Sequence, residues 1–132
     1  MLLDTNVLAG SLTVRGLCSE LLESIFNAHE LLICEPVLQE LKRILREKFH
    51  LPAPLVRDYV NLLKTESHVL TTHTAVNIKL SDKGNIRILE FVIPAKPDVF
   101  VTGDKELLKL AEIEGVPIRS PRQFWLLLAG LE

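Results

Sequence analysis

Twice in this chain an apolar, partly β-branched run stops at a carboxylate. Met1-Leu2-Leu3 ends on Asp4-Thr5-Asn6, and near the other end Val99-Phe100-Val101 ends on Thr102-Gly103-Asp104. Short runs without a polar residue suit strands buried on both faces, as in a parallel sheet. Ligands of an open α/β sheet lie beyond the carboxyl ends of its strands, so two such strands placed side by side would bring Asp4 and Asp104 together. Paired carboxylates in that place point to a divalent-cation site.

Between these runs, strand-like and helix-like segments alternate. Leu31-Leu32-Ile33-Cys34 reads as a buried strand, and Pro36 sits where the first turn of a helix tolerates it, the helix running to about Phe49. After Pro52 and Pro54, the apolar spacing from Leu55 to Leu63 is that of an amphipathic helix, and His68 to Thr71 reads as another strand. Lys83 to Val92 is expected to be helical, with Ile86, Leu89 and Phe91 toward the core and an end before Pro94. Lys105 to Ile113 is a further helix ended near Gly115, Val116-Pro117-Ile118 an edge strand that tolerates proline, and Pro121 the start of a terminal helix. No repeat, low-complexity tract or linker interrupts the pattern, so residues 1–132 are expected to form a single domain. Alternation of this kind predicts an α/β fold with a parallel sheet covered on both faces. An all-helical bundle would leave the aspartate after each apolar run unexplained.

Composition narrows the class further. At 48% hydrophobic residues the chain is rich in apolar side chains, with a mean hydropathy of +0.26, yet no run approaches the ~20 residues of a membrane span. The excess is therefore expected in a large core or in an interface of a homodimer or higher oligomer. No basic stretch followed by an apolar segment and a cleavage site opens the chain, which leads to the expectation of a cytoplasmic protein. Cys18 and Cys34 lack C-x-x-C spacing and read as buried small hydrophobes rather than a disulfide or zinc site. His29, His50, His68 and His73 show no paired-ligand spacing, and Gly84 is not part of a glycine-rich phosphate loop. Phe124 and Trp125 fall on a terminal helix apolar nearly all round, which suits packing better than base stacking. The net charge of −2 conceals basic clusters at Lys42, Arg43, Arg46 and Lys48, at Lys79, Lys83 and Arg87, and at Lys105 and Lys109. Taken one at a time these are ordinary solvated faces; together they offer contacts for a polyanion.

The helix from Pro36 supplies a third acid by geometry. At 100° per residue Val37, Leu38, Leu41, Ile44 and Leu45 fall in one apolar arc, with Arg43 and Arg46 pointing away from it. Glu40 lies on the shoulder of that arc beside Ile44, where a carboxylate either looks across the rim of the sheet or reaches out to water.

These residues resemble the PIN (PilT N-terminus) domain family of metal-dependent ribonucleases, and above all its short, free-standing members of toxin type. The resemblance rests on Leu3-Asp4-Thr5-Asn6-Val7-Leu8, Pro36-Val37-Leu38-Gln39-Glu40-Leu41 and Val101-Thr102-Gly103-Asp104-Lys105-Glu106-Leu107-Leu108, in that order. Gly115-Val116-Pro117-Ile118 and Ser120-Pro121-Arg122-Gln123-Phe124 are similar to its closing strand and helix. It implies a three-layer α/β/α sandwich around a parallel sheet, an acidic Mg²⁺ or Mn²⁺ site, RNA as substrate and an antitoxin protein as partner. Asp4, Glu40 and Asp104 match the family's catalytic acids. In Ser81-Asp82-Lys83-Gly84-Asn85, where the family usually carries two aspartates spaced by three, Asp82 fills the first place and Asn85 the second.

Hard divalent cations take oxygen ligands and keep several waters, which leaves room for a phosphate and a nucleophile. The assignment is therefore Asp4 and Asp104 as direct ligands, Glu40 as ligand or orienter of a water, and Asp82 or Asn85 as auxiliary ligand. Asn6 and Thr102 are expected to hold those carboxylates in place. Glu106 reads as a first-turn helix acid favoured by the macrodipole, or as a ligand through water. Lys42, Arg43, Lys79, Lys83, Arg87 and Lys105 are the candidates for holding the RNA backbone. Asn85 coordinates without charge, so two readings stand: a metal-dependent endoribonuclease, or a degenerate module that binds RNA or protein without cleaving it.

Overall fold

A computed structural model describes residues 1–13 and 30–128, apart from the side chains of residues 11–13, 125, 127 and 128. Cys18 and His29, and the side chain of Trp125, lie outside the described residues. The elements are β1 (Leu2–Leu3), α1 (Thr5–Thr13), β2 (Leu32–Cys34), α2 (Glu35–Glu47), α3 (Ala53–Glu66), β3 (His68–Leu70), α4 (Lys83–Ala95), β4 (Phe100–Val101), α5 (Lys105–Leu110), β5 (Glu112–Ile113), β6 (Val116–Arg119) and α6 (Pro121–Leu128). The strands line up in the order β3-β2-β1-β4-β6-β5. Every neighbouring pair is parallel except β5 with β6.

The order runs leftward from β1 through β2 to β3, then restarts at β4 on the other side of β1 and runs rightward. Right-handed crossovers put the helices of the two halves on opposite faces, which gives an α/β sandwich with a switch point between β1 and β4. At that point Leu2 pairs with Phe100 and Leu3 with Val101. Leu2, Leu3, Ile33, Phe100 and Val101 are almost wholly excluded from solvent, as strands covered on both faces require. The helix α2 buries Val37, Leu38, Leu41, Ile44 and Leu45, the arc its sequence predicts, while Arg43 and Arg46 stay exposed. Burying a leucine or isoleucine side chain contributes roughly 1.5–3 kcal/mol, so this face anchors the helix to the sheet.

Three local expectations change. The helix after Asp104 stops at Leu110 rather than near Gly115, with Ala111 at φ 61°, and residues 112–113 become the edge strand β5. Glu114 and Gly115 both take positive φ, 49° and 83°, as a two-residue hairpin loop requires; glycine meets that demand at no steric cost. Consequently β6 is not an edge strand but lies between β4 and β5, and Pro117 sits opposite Glu112 of the short edge.

The second change is at Pro94, which lies inside α4 rather than beyond it. Proline removes the N–H that the Glu90 carbonyl would accept, and the backbone N–H of Thr74 donates there instead at 2.9 Å. Third, the buried side of α4 is Asn85, Ile88, Leu89 and Val92, whereas Ile86 and Phe91 are half-buried. The ring of Phe91 packs 5.4 Å from that of His73, under the irregular segment 71–82.

Candidate active site at the strand switch

A parallel sheet starts its helices where its strands end, and four begin around the β1/β4 switch. Thr5 opens α1 directly after Asp4, Glu35 and Pro36 open α2, Lys83 opens α4, and Lys105 opens α5. Asp82 caps α4, its carboxylate accepting from the Gly84 N–H at 2.8 Å. A side chain at position 84 would bring its Cβ to 3.0 Å from that same oxygen, so glycine leaves the capping carboxylate its room. Asp104 caps α5 and accepts from the N–H groups of Glu106 and Leu107 at 2.9 and 3.2 Å. Each N-terminus presents partial positive charge, which tempers the acids gathered around it.

Between them lies a cleft of about 370 Å³, lined by Asp4, Glu40, Asp82, Asn85, Asp104 and Arg87 together with Thr5, Asn6, Pro36, Gly84, Ile44 and Ile88. Asp4 is its most enclosed acid, with 7% of its surface exposed. One Asp4 oxygen accepts from the Thr5 N–H at 2.7 Å and the other from the Thr102 hydroxyl at 2.6 Å. The same Thr102 oxygen accepts from the Asp104 N–H at 3.0 Å, so a wholly buried threonine couples the two strand ends. Burial pushes the Asp4 carboxyl above its ordinary range against the hydrogen bonds from Thr102 and Thr5, and the charges of Asp104 and Asp82 push the same way. Thr5 Oγ1 and Asn85 Nδ2 are buried without a hydrogen-bond partner among the described residues, and both residues line this cleft. Polar atoms left unmatched inside a protein are costly, so a water or a polar ligand at this cleft would meet a demand that the protein's own groups leave open.

Sequence reasoning places five potential ligands here, and all five residues line the one cleft. Their states differ. Glu40 is turned along its helix into an ion pair with Arg43, which also reaches Glu47 at 3.1 Å. Asn6 lines the cleft and is exposed, while Thr102 is the residue that holds Asp4. Of the six basic residues, Arg87 lines the cleft; Lys83 and Lys105 stand exposed at the helix starts beside it, and Lys79 lies exposed in the 71–82 segment. Lys42 is on the far shoulder of α2, and Arg43 on its crest. Sequence reasoning missed the Thr5 amide as a partner of Asp4. It also left open the task of Glu106, whose carboxylate accepts from the N–H of Ser81 at 3.1 Å and from its hydroxyl at 2.7 Å. That tie holds the Glu106 carboxyl below its usual range. Cys34 is buried next to this end of the sheet, and burial pushes its thiol up to about 11, so it remains a neutral packing residue.

The donors are carboxylate, amide and hydroxyl oxygens, the set that hard divalent cations take. Among the described residues no group of three His, Cys, Asp or Glu side chains is placed to hold a metal ion together. Mg²⁺ is commonly held by one or two carboxylates with water and substrate phosphate completing the shell, so the residues present fit a cation of that kind.

Residues 1–106 match the family model of the PIN domain. This chain belongs to the PIN domain family. Among solved structures, a chain in the crystal structure of VapBC2 from Rickettsia felis bound to a DNA fragment from their promoter is similar, with a TM-score of 0.63. The likeness covers 90% of this chain and 96% of that one at 12% sequence identity, which makes it a likeness of fold. No curated protein sequence matches the chain closely enough to count as a relative. Of the two positions that the resemblance sets against the family's aspartate pair, Asp82 is the N-cap of α4 and Asn85 is buried in its first turn.

Proposed function

We propose that this PIN domain is a divalent-metal-dependent ribonuclease and the toxin partner of an antitoxin protein. The observation that carries the reading is the gathering of Asp4, Asp104, Asp82 and Glu40 around one cleft at the strand switch. Membership of the PIN family supports a nuclease, and the likeness to a chain of VapBC2 supports a protein partner.

Asp4 and Asp104 would hold Mg²⁺ or Mn²⁺ directly, with Asp82 and the amide oxygen of Asn85 as auxiliary ligands. A bound cation of this kind neutralises charge developing on a phosphate and activates water. The protein's own groups do the rest. Thr102 keeps the Asp4 carboxylate in one orientation and ties it to the Asp104 backbone. Glu40, once released from Arg43, orients the attacking water or completes the metal's shell, and Arg87 pairs with a phosphate at the cleft wall. Lys83 and Lys105, at the mouth, attract the RNA backbone.

A second reading, binding without cleavage, is favoured by two observations. The charge at position 85 is missing, and Glu40 is engaged with Arg43. Incubation of RNA with the purified protein in Mg²⁺ or Mn²⁺ separates the two. Cleavage that disappears in chelator and in Asp4→Ala, with circular dichroism unchanged, is the expected result. Tight RNA binding with no cleavage in either metal would establish the non-cleaving module instead.

A further inference from the structure

On the shoulder of α2 opposite Glu40, a second concavity of about 280 Å³ opens between α2 and α3. Its floor is apolar, formed by Val56 and Val60, each at most 4% exposed. Both rims are basic, with Lys42 and Arg46 on α2 and Arg57 and Lys64 on α3. The only ion pairs among the described residues are those of Arg43 with Glu40 and Glu47, so none of these four cations has an acidic partner there. Of the acidic groups on the two helices, Glu35, Glu40, Asp58 and Glu66 do not line the groove, and Glu47 flanks it, with Arg43, only at the α2 rim.

We propose that this groove is a second RNA-binding site, which takes the sugar-phosphate backbone of a single strand whose neighbouring segment lies in the acidic cleft. The proposal rests on the nuclease reading for its substrate class and extends it to a surface with no metal chemistry. Helix geometry sets the spacing: Lys42 and Arg46 are about 6 Å apart along α2, Arg57 and Lys64 about 10 Å along α3. Two cationic rows of that length face two or three successive phosphates. Arginine, on each rim, grips phosphate bidentately, while lysine adds a point charge. The two concavities share α2, a cylinder about 10–12 Å across, so a strand crossing it needs roughly three stacked nucleotides at 3.4 Å each. An acidic polypeptide is the competing occupant. The four unpaired cations on two facing rims, one helix width from the cleft, favour RNA, since a polymer bound for cleavage extends beyond the scissile bond in both directions.

The test measures binding of a short fluorescein-labelled oligouridine in EDTA, where no cleavage occurs, over a series of KCl concentrations. The variant Lys42→Glu/Arg57→Glu removes one cation from each rim, Arg46→Glu/Lys64→Glu removes the other two, and Lys96→Glu, exposed at the C-terminal cap of α4, is the control. Both groove variants are expected to bind RNA at least about tenfold more weakly, with the slope of log K on log salt reduced by about 1.4, the figure for two lost contacts to a single strand. Circular dichroism and Mn²⁺ affinity should be unchanged, and the control should bind as wild type. RNA affinity within twofold of wild type in both variants would overturn the proposal. So would an oligoglutamate peptide that competes for the groove while RNA does not. If Asp4-dependent cleavage fails while groove-dependent binding persists, the nuclease reading falls and this one stands.

Discussion

Asp4 keeps its carboxylate in a place where burial and two neighbouring acids oppose ionisation. A raised pKa in the folded protein means that the folded state holds the proton more tightly than the unfolded chain. The associated stability is fully present below the unfolded value of 3.8 and is lost as pH rises through the raised one. Metal-free Asp4→Asn should therefore melt higher than wild type at neutral pH, because asparagine keeps an acceptor for the Thr5 N–H and places an amide donor against the Thr102 oxygen, without the buried charge. The gain should vanish when the scan is repeated below the unfolded value. Equal melting temperatures at neutral pH would mean that the carboxylate is better solvated than its burial indicates. Asn85 poses the opposite question, since an aspartate there adds the charge that the resemblance to the family sets at this helix start. Asn85→Asp should tighten Mn²⁺ binding about tenfold in calorimetric titration, as each added carboxylate attracts the cation. Unchanged affinity, with Asp82→Ala abolishing binding, would make Asp82 the working acid of the pair.

The elements themselves were legible where one helix or strand decides its own pattern. The apolar arc of α2 and the strands that end at Asp4 and before Asp104 follow from spacing alone, because burial on one face or two leaves a periodic trace. The misreadings arose where a partner distant in sequence intervened. Pro94 looked like a stop, but Thr74 supplies the missing bond; Glu112-Ile113 looked like the end of a helix, but pairing with Val116 and Pro117 turns it into a strand. The link between Ser81 and Glu106 belongs to the same class, its ends 25 positions apart in sequence. It fastens the segment before α4 to the first turn of α5, and so fixes the start that carries Asp82 and Asn85 relative to Asp104. Glu106→Ala should weaken Mn²⁺ binding severalfold while leaving the melting temperature within a degree or two, since exposed contacts contribute little to global stability. Glu106→Gln, which retains an acceptor for the Ser81 hydroxyl, should recover most of that affinity. If both variants bind Mn²⁺ as wild type does, the link has no part in shaping the cleft.

At the scale of the whole molecule, the strand order was not legible in the sequence, since no local pattern says which strands neighbour which. Only the two aspartates, by their chemistry, suggested that β1 and β4 lie side by side. The mean hydropathy of +0.26 also speaks at this scale, because nearly all the large apolar side chains among the described residues are buried or half-buried. The exceptions are on α3, where Leu55 and Leu62 are 37% and 46% exposed and half-buried Tyr59 stands between them at helical spacing. These three occupy the side of α3 away from Arg57 and Lys64, so a partner covering them leaves the basic groove open. A stable interface buries roughly 800 Å² on each partner, more than two leucines supply, which requires the contact to run the length of the helix. In a two-fold dimer the same face meets itself, so α3 would pack against α3 of a second copy. Sedimentation velocity at micromolar concentration should then give a dimer for wild type and a monomer for Leu55→Glu/Leu62→Glu, with RNA binding in EDTA retained by both. A monomeric wild type would leave the two leucines as ordinary surface residues, and a variant that stays dimeric would move the interface to another face of the molecule.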